Sequence, residues 1–169
     1  MSDSGPLYYG KYRGIVTGND EGRGRIRVEV PEFEGEIVAL PSVPYAGDGV
    51  GLFLVPPENA SVWVEFEAGN PEIPIWSGCF WEESDSLPAD NESPGLKVLK
   101  TDKGTITIDD SGSGRLTIET PAGIKIEMTS SGIVITGKTG TSIEITNGKA
   151  KIELQGPTVS INDKALEVT

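Results

Sequence analysis

Apolar and polar residues alternate one by one through most of this chain, and no segment shows a helical period of useful length. Arg25-Ile26-Arg27-Val28-Glu29-Val30 is the clearest case. Side chains of a strand point to opposite faces in turn, so such a segment reads as a half-buried strand. Tyr12 to Thr17, Ile37 to Leu40, Gly51 to Val55, Ser61 to Glu67 and Pro74 to Phe80 supply further strands, and Asn19-Asp20-Glu21-Gly22 is a turn. Val62, Val64 and Phe66 share one face, opposite Trp63, Glu65 and Glu67. Five or six short strands in about 80 residues predict a Greek-key barrel of the OB type.

Further along, the alternation becomes a repeat. Apolar pairs stand at Ile106/Ile108, Leu116/Ile118, Ile124/Ile126, Ile133/Ile135, Ile143/Ile145, Ile152/Leu154, Val159/Ile161 and Leu166/Val168. Successive pairs begin 10, 8, 9, 10, 9, 7 and 7 residues apart, with Gly-bearing turns between all but the last two. Each unit is a short strand with one oily face. A near-constant spacing of this size marks a β-solenoid or a stacked β-prism.

Together with Met128, those pairs put their apolar side chains on one side of each strand. Within one chain nothing covers that side, and an open sheet would also leave its edges bare. A single-chain solenoid needs three faces per coil, so about 20 residues per turn, and barely three coils fit. Three chains around one axis bury the oily faces in a shared interior. The expected core of that trimer is Ile106, Ile108, Leu116, Ile118, Ile124, Ile126, Met128, Ile133, Ile135, Ile143, Ile145, Ile152, Leu154, Val159 and Ile161. The fold class expected is all-β, with an N-terminal OB-fold barrel at 1–83, a polar, Pro-containing linker at 84–95 and a trimeric intertwined β-helix or β-prism at 96–169.

Charge separates the same two halves. Residues 1–95 hold 5 Lys and Arg against 17 Asp and Glu, a net of −12, whereas residues 96–169 hold 9 against 9. A nucleic-acid binder needs clustered positive charge to displace counterions, so the acidic front half argues against one. Arg23, Arg25 and Arg27 form a small basic stripe, read as solvated strand residues or interchain ion pairs. The longest apolar run, Val50 to Val55, is broken by Gly51 and is far too short to span a membrane as a helix. The Met1-Ser2-Asp3 start lacks a basic and an apolar region, so synthesis in the cytoplasm without a signal peptide is expected.

The chain contains no histidine. Ser-His-Asp and Cys-His catalysis are therefore excluded, together with His-ligated metal sites. The lone cysteine, Cys79, has no intrachain partner and is expected to be a small core residue. No catalytic residue, metal site or cofactor is predicted. The acidic pairs Asp109/Asp110 and Glu82/Glu83 are the material for a rival reading, a secreted or tail-associated β-helical protein that binds or depolymerises glycans. Against it, Asp109-Asp110-Ser111-Gly112 reads as a turn, and no aromatic residue follows Trp81 to stack on a sugar.

Several segments together resemble a known family: Tyr12-Arg13-Gly14-Ile15-Val16, Gly22-Arg23-Gly24-Arg25-Ile26-Arg27-Val28, Pro44-Tyr45-Ala46-Gly47 and Val62-Trp63-Val64-Glu65-Phe66-Glu67-Ala68-Gly69-Asn70-Pro71-Glu72-Ile73-Pro74-Ile75-Trp76-Ser77-Gly78. They look like the OB domain of VgrG-type spikes, phage baseplate assembly protein V and the T4-like tail spike. Lys103-Gly104-Thr105-Ile106-Thr107-Ile108-Asp109-Asp110 is similar to the start of the β-helix in those proteins. The closing segment from Val159 to Val168 resembles the blunt spike end that receives a PAAR-type tip. The resemblance implies a homotrimeric spike of a virion tail or phage-tail-like particle. Its OB domains would sit on the baseplate hub, and its tip would dock at Asn162, Ala165, Leu166 and Val168. It would touch the target membrane only while puncturing it. The linker leaves no room for the lysozyme domain of the T4-like spike, and without histidine the His-x-His metal site of several phage spikes cannot form. Puncturing is therefore expected to be mechanical.

Overall fold

The computed structural model describes residues 5–20, 22–82, 87–89, 93–163 and 165–168, and of Glu167 and Val168 the backbone alone. The chain forms two compact units, residues 1–86 and 87–169. Residues 83–86 and 90–92, within or beside the expected linker, lie outside the described residues.

In the first unit, β1 (Tyr12–Asn19), β2 (Ile26–Glu29), β3 (Glu36–Pro41), β6 (Ser61–Phe66) and β7 (Pro74–Cys79) close into a barrel in the order β1-β2-β3-β7-β6. Its pairings are antiparallel except the parallel contact of β3 with β7. Pairing of β1 with β6 completes the ring, so no strand edge is left open. Alternation sends Val16, Ile26, Val28, Ala39, Val62, Val64, Phe66 and Trp76 inward, and all are buried. Gly14 is tolerated in β1 because a Cβ there would run into the Val28 side chain. Buried Trp76 keeps its one polar atom satisfied: its indole Nε1–H donates to the Gly24 carbonyl at 3.1 Å. The rings of Tyr8, Tyr12, Phe33 and Phe66 pack together beside this core, with centroids 4.8–6.3 Å apart.

Two sequence expectations fail here. Gly51 to Val55 is not a strand: only β4 (Ala46–Gly47) and β5 (Val50–Gly51) pair, as a two-residue ladder, and Leu52 to Val55 join no sheet. Five strands already close the barrel, so no edge remains for a sixth. Cys79 is exposed rather than a core residue. The register of β6 with β7 shifts between Trp76 and Cys79, which breaks the alternation there, and Cys79, opposite Val62, ends the strand where it is left exposed. Partial desolvation still raises its thiol pKa above the ordinary value.

The described residues of the second unit form nine strands where eight were expected. They are β8 (Leu96–Lys100), β9 (Thr105–Asp109), β10 (Arg115–Glu119), β11 (Lys125–Thr129), β12 (Gly132–Thr136), β13 (Ser142–Thr146), β14 (Lys151–Gln155), β15 (Thr158–Ile161) and β16 (Leu166–Val168). β8 to β12 form one antiparallel sheet and β13 to β16 another, and in both every strand pairs with its neighbour in sequence. Ile124 falls one residue short of β11, in the turn where its N–H and carbonyl bond Thr120.

Candidate assembly interface

The strand registers bring the repeated apolar pairs together. Ile106, Ile118, Ile126 and Ile135 stand opposite one another across β9 to β12, and Ile108, Leu116, Met128 and Ile133 form a second row. Leu99 of β8 extends the first row, opposite Ile106. In the other sheet the rows are Ile143, Leu154, Val159 and Val168, and Ile145, Ile152, Ile161 and Leu166. Each sheet thus carries an unbroken aliphatic face.

Those faces are open to solvent in the single chain. Ile126 is 38% exposed and Ile133 67%, and Ile106, Ile108, Ile118, Ile135, Ile145, Ile152, Leu154 and Val159 are exposed as well. Leu116, Met128, Ile143 and Ile161 are half-buried. On the opposite faces, by contrast, two small polar residues are covered although Val134 is 56% exposed. Thr117 is only 9% exposed and Ser160 8%. Each stands opposite an ion-paired glutamate, Thr117 opposite Glu127 and Ser160 opposite Glu153. Arg115 reaches Asp109 at 3.7 Å and Glu127 at 3.9 Å, and Lys125 reaches Glu127 at 3.1 Å. On the second sheet Lys151 reaches Asp163 at 2.7 Å, Glu153 at 3.3 Å and Glu144 at 4.0 Å. Its hydrogen bonds to Asp163 and Glu153 raise its pKa. At these positions the usual arrangement of a folded chain is inverted: Thr117 and Ser160 are shielded and isoleucines are wet.

Hydrolytic chemistry finds no support in the acidic pairs. Asp109 accepts hydrogen bonds from the Ser111 hydroxyl at 2.5 Å and from the Ser111 backbone N–H at 3.0 Å. These bonds hold its carboxyl below the usual range, whereas a general acid needs a raised pKa. Asp110 is ion-paired with Lys97. Glu82 accepts from the Ser61 hydroxyl at 3.4 Å, and Glu83 lies outside the described residues. Among the described residues, no three carboxylates or thiols are grouped to hold a metal, and no helix is long and apolar enough to cross a membrane. The arginine stripe is partly neutralised within the chain, Arg25 by Asp20 at 2.8 Å and Arg27 by Glu36 at 3.7 Å.

At the far end, β16 is an edge strand of its sheet. Leu166 and Ala165 are exposed. Asn162 adopts a left-handed backbone (φ 48°), and its side-chain carbonyl accepts from the Lys151 N–H at 2.9 Å, so it shapes the turn before β16. Val168 pairs with Val159, and its side chain lies outside the described atoms. Sequence reasoning missed Leu99, because Lys97 occupies the other position of what would have been a ninth apolar pair.

A closed OB-type barrel followed by sheets with bare aliphatic faces defines an all-β protein that other copies of itself must complete. The comparisons with known proteins agree with this class. Residues 12–81 match the family model of the type VI secretion system/phage-baseplate injector OB domain. Residues 97–167 match that of the phage baseplate V C-terminal trimerisation domain. The chain belongs to the baseplate V and VgrG-like family. It is a baseplate spike component of the phage or type VI secretion kind, and its second unit is the trimerising one. No match was found among curated proteins.

Proposed function

We propose that this chain is the homotrimeric central spike of a contractile injection particle. It plugs the baseplate hub with its barrels, pierces the target envelope mechanically and carries a separate PAAR-type tip. The observation that carries this reading is the inverted exposure of the second unit, where isoleucines are wet and Thr117 and Ser160 are shielded. Three copies that turn their aliphatic faces to a common axis remove that surface from water, at about 25 cal/mol per Å². Because the sheets pair within one chain, each copy contributes whole sheets to a β-prism rather than single strands to an intertwined winding. The edge strand β16 offers unpaired backbone groups for a tip protein, around Ala165, Leu166 and the backbone of Val168. Catalysis has no part in this role.

Sedimentation equilibrium of the full chain tests the assembly, and the expected mass is three times 17.9 kDa. A monomer mass at micromolar concentration would sink the reading. Removal of residues 165–169 should leave the trimer intact and abolish capture of a PAAR-type tip in a pull-down.

A further inference from the structure

The longest apolar run of the chain is also among its wettest segments. Val50, Leu52, Phe53 and Leu54 are 46–74% exposed, and Tyr45, on the other arm of the β4–β5 ladder, is 60% exposed. These five side chains line one open hollow beside Trp76 and Arg23. The barrel does not need them for closure, and its core is complete without them. Exposed aliphatic and aromatic side chains gathered at one place mark a protein-binding surface.

Charge identifies the occupant. Residues 1–86 hold 5 Lys and Arg against 15 Asp and Glu, a net of −10 per copy. Asp48, in the β4–β5 turn, and Glu58, just beyond the run, add two carboxylates to this part of the barrel. A second barrel brought onto this patch would meet like charge, whereas the second unit, through which copies associate, holds 9 Lys and Arg against 11 Asp and Glu, a net of only −2. Anionic membrane surfaces are disfavoured for the same reason. Electrostatic complementarity therefore calls for a basic partner of a different kind. We propose that the Tyr45–Leu54 loop is the docking knob for a basic protein surface with an apolar socket. Resting on the function proposed above, that surface belongs to the baseplate hub.

The test uses the full-length trimer, the separately purified hub protein of the parent particle, and anionic phospholipid vesicles as a control surface. The Phe53→Ser and Leu54→Ser variants alter exposed side chains and should keep the trimer mass. Their hub affinity should fall at least about tenfold each, and wild-type affinity should weaken as salt rises. Unchanged hub binding by both variants would overturn the knob and leave the spike reading standing. Wild-type trimer that ignores the hub would overturn the hub partnership itself. Loss of the trimer, or Phe53-dependent binding to vesicles in place of the hub, would assign the loop to self-association or to a membrane and also refute the proposal.

Discussion

Trp76 ties two distant parts of the barrel together with one hydrogen bond, from β7 to the Gly24 carbonyl just before β2. Replacement by Phe keeps most of the apolar volume but leaves that buried carbonyl unpaired, which costs about 1–3 kcal/mol. Trp76→Phe should therefore lower the urea midpoint of the barrel while the trimer mass stays unchanged. The inward positions of the barrel were legible in the sequence because alternation alone fixes them: Val62, Val64 and Phe66 are buried where the pattern puts them. Cys79 misled because an apolar neighbourhood in sequence does not show a bulge or the end of a strand. Asn162 could not be read as a turn residue either, since its value depends on a partner eleven residues earlier, Lys151.

At the level of strands, the two faces of the second unit make opposite demands. Ile126 stands between Ile118 and Ile135 in the aliphatic row. Ile126→Asp would bring one carboxylate per chain into a shared apolar interior, at a cost of several kcal/mol each. Assembly should then fail in sedimentation. Thr129→Asp lies at an exposed end of the same strand, where its carboxylate can still accept the Ser131 N–H now bonded to the Thr129 hydroxyl. It should assemble normally, and equal damage from both changes would show that the assigned faces are wrong. The eight apolar pairs each lie in or beside a strand, because a period of 2 survives any topology. The division into a five-stranded and a four-stranded sheet was not legible. It depends on where a hairpin fails to continue the ladder, between β12 and β13, and residue type alone does not mark that point.

For the molecule as a whole, the absence of histidine sets the response to pH. Asp109 and Glu65 have lowered pKa values, so their contribution is present above the ordinary carboxylate range and is lost only as pH falls through those lowered values. Lys151 and Cys79 have raised values, so their contribution is complete below their ordinary pKa and is lost as pH rises beyond it. Thermal stability should therefore form a plateau between about pH 6 and pH 8, with decline on the acid and alkaline sides. A transition centred near neutrality would contradict these assignments. The barrel and the repeat were both visible in the sequence, but the exposed Tyr45–Leu54 loop was not, since a pattern of apolar residues cannot tell a core strand from a binding surface. The sequential pairing of β8 to β16 has one more consequence, in time rather than space. Sheets built only from neighbouring hairpins form quickly and without help from another chain. Each newly made copy is then ordered before it meets its two mates, and its aliphatic faces stay bare for an interval set by concentration. Dilution lengthens that interval, so the yield of spikes should depend on synthesis of many copies close together, and stray copies should be lost to clumping.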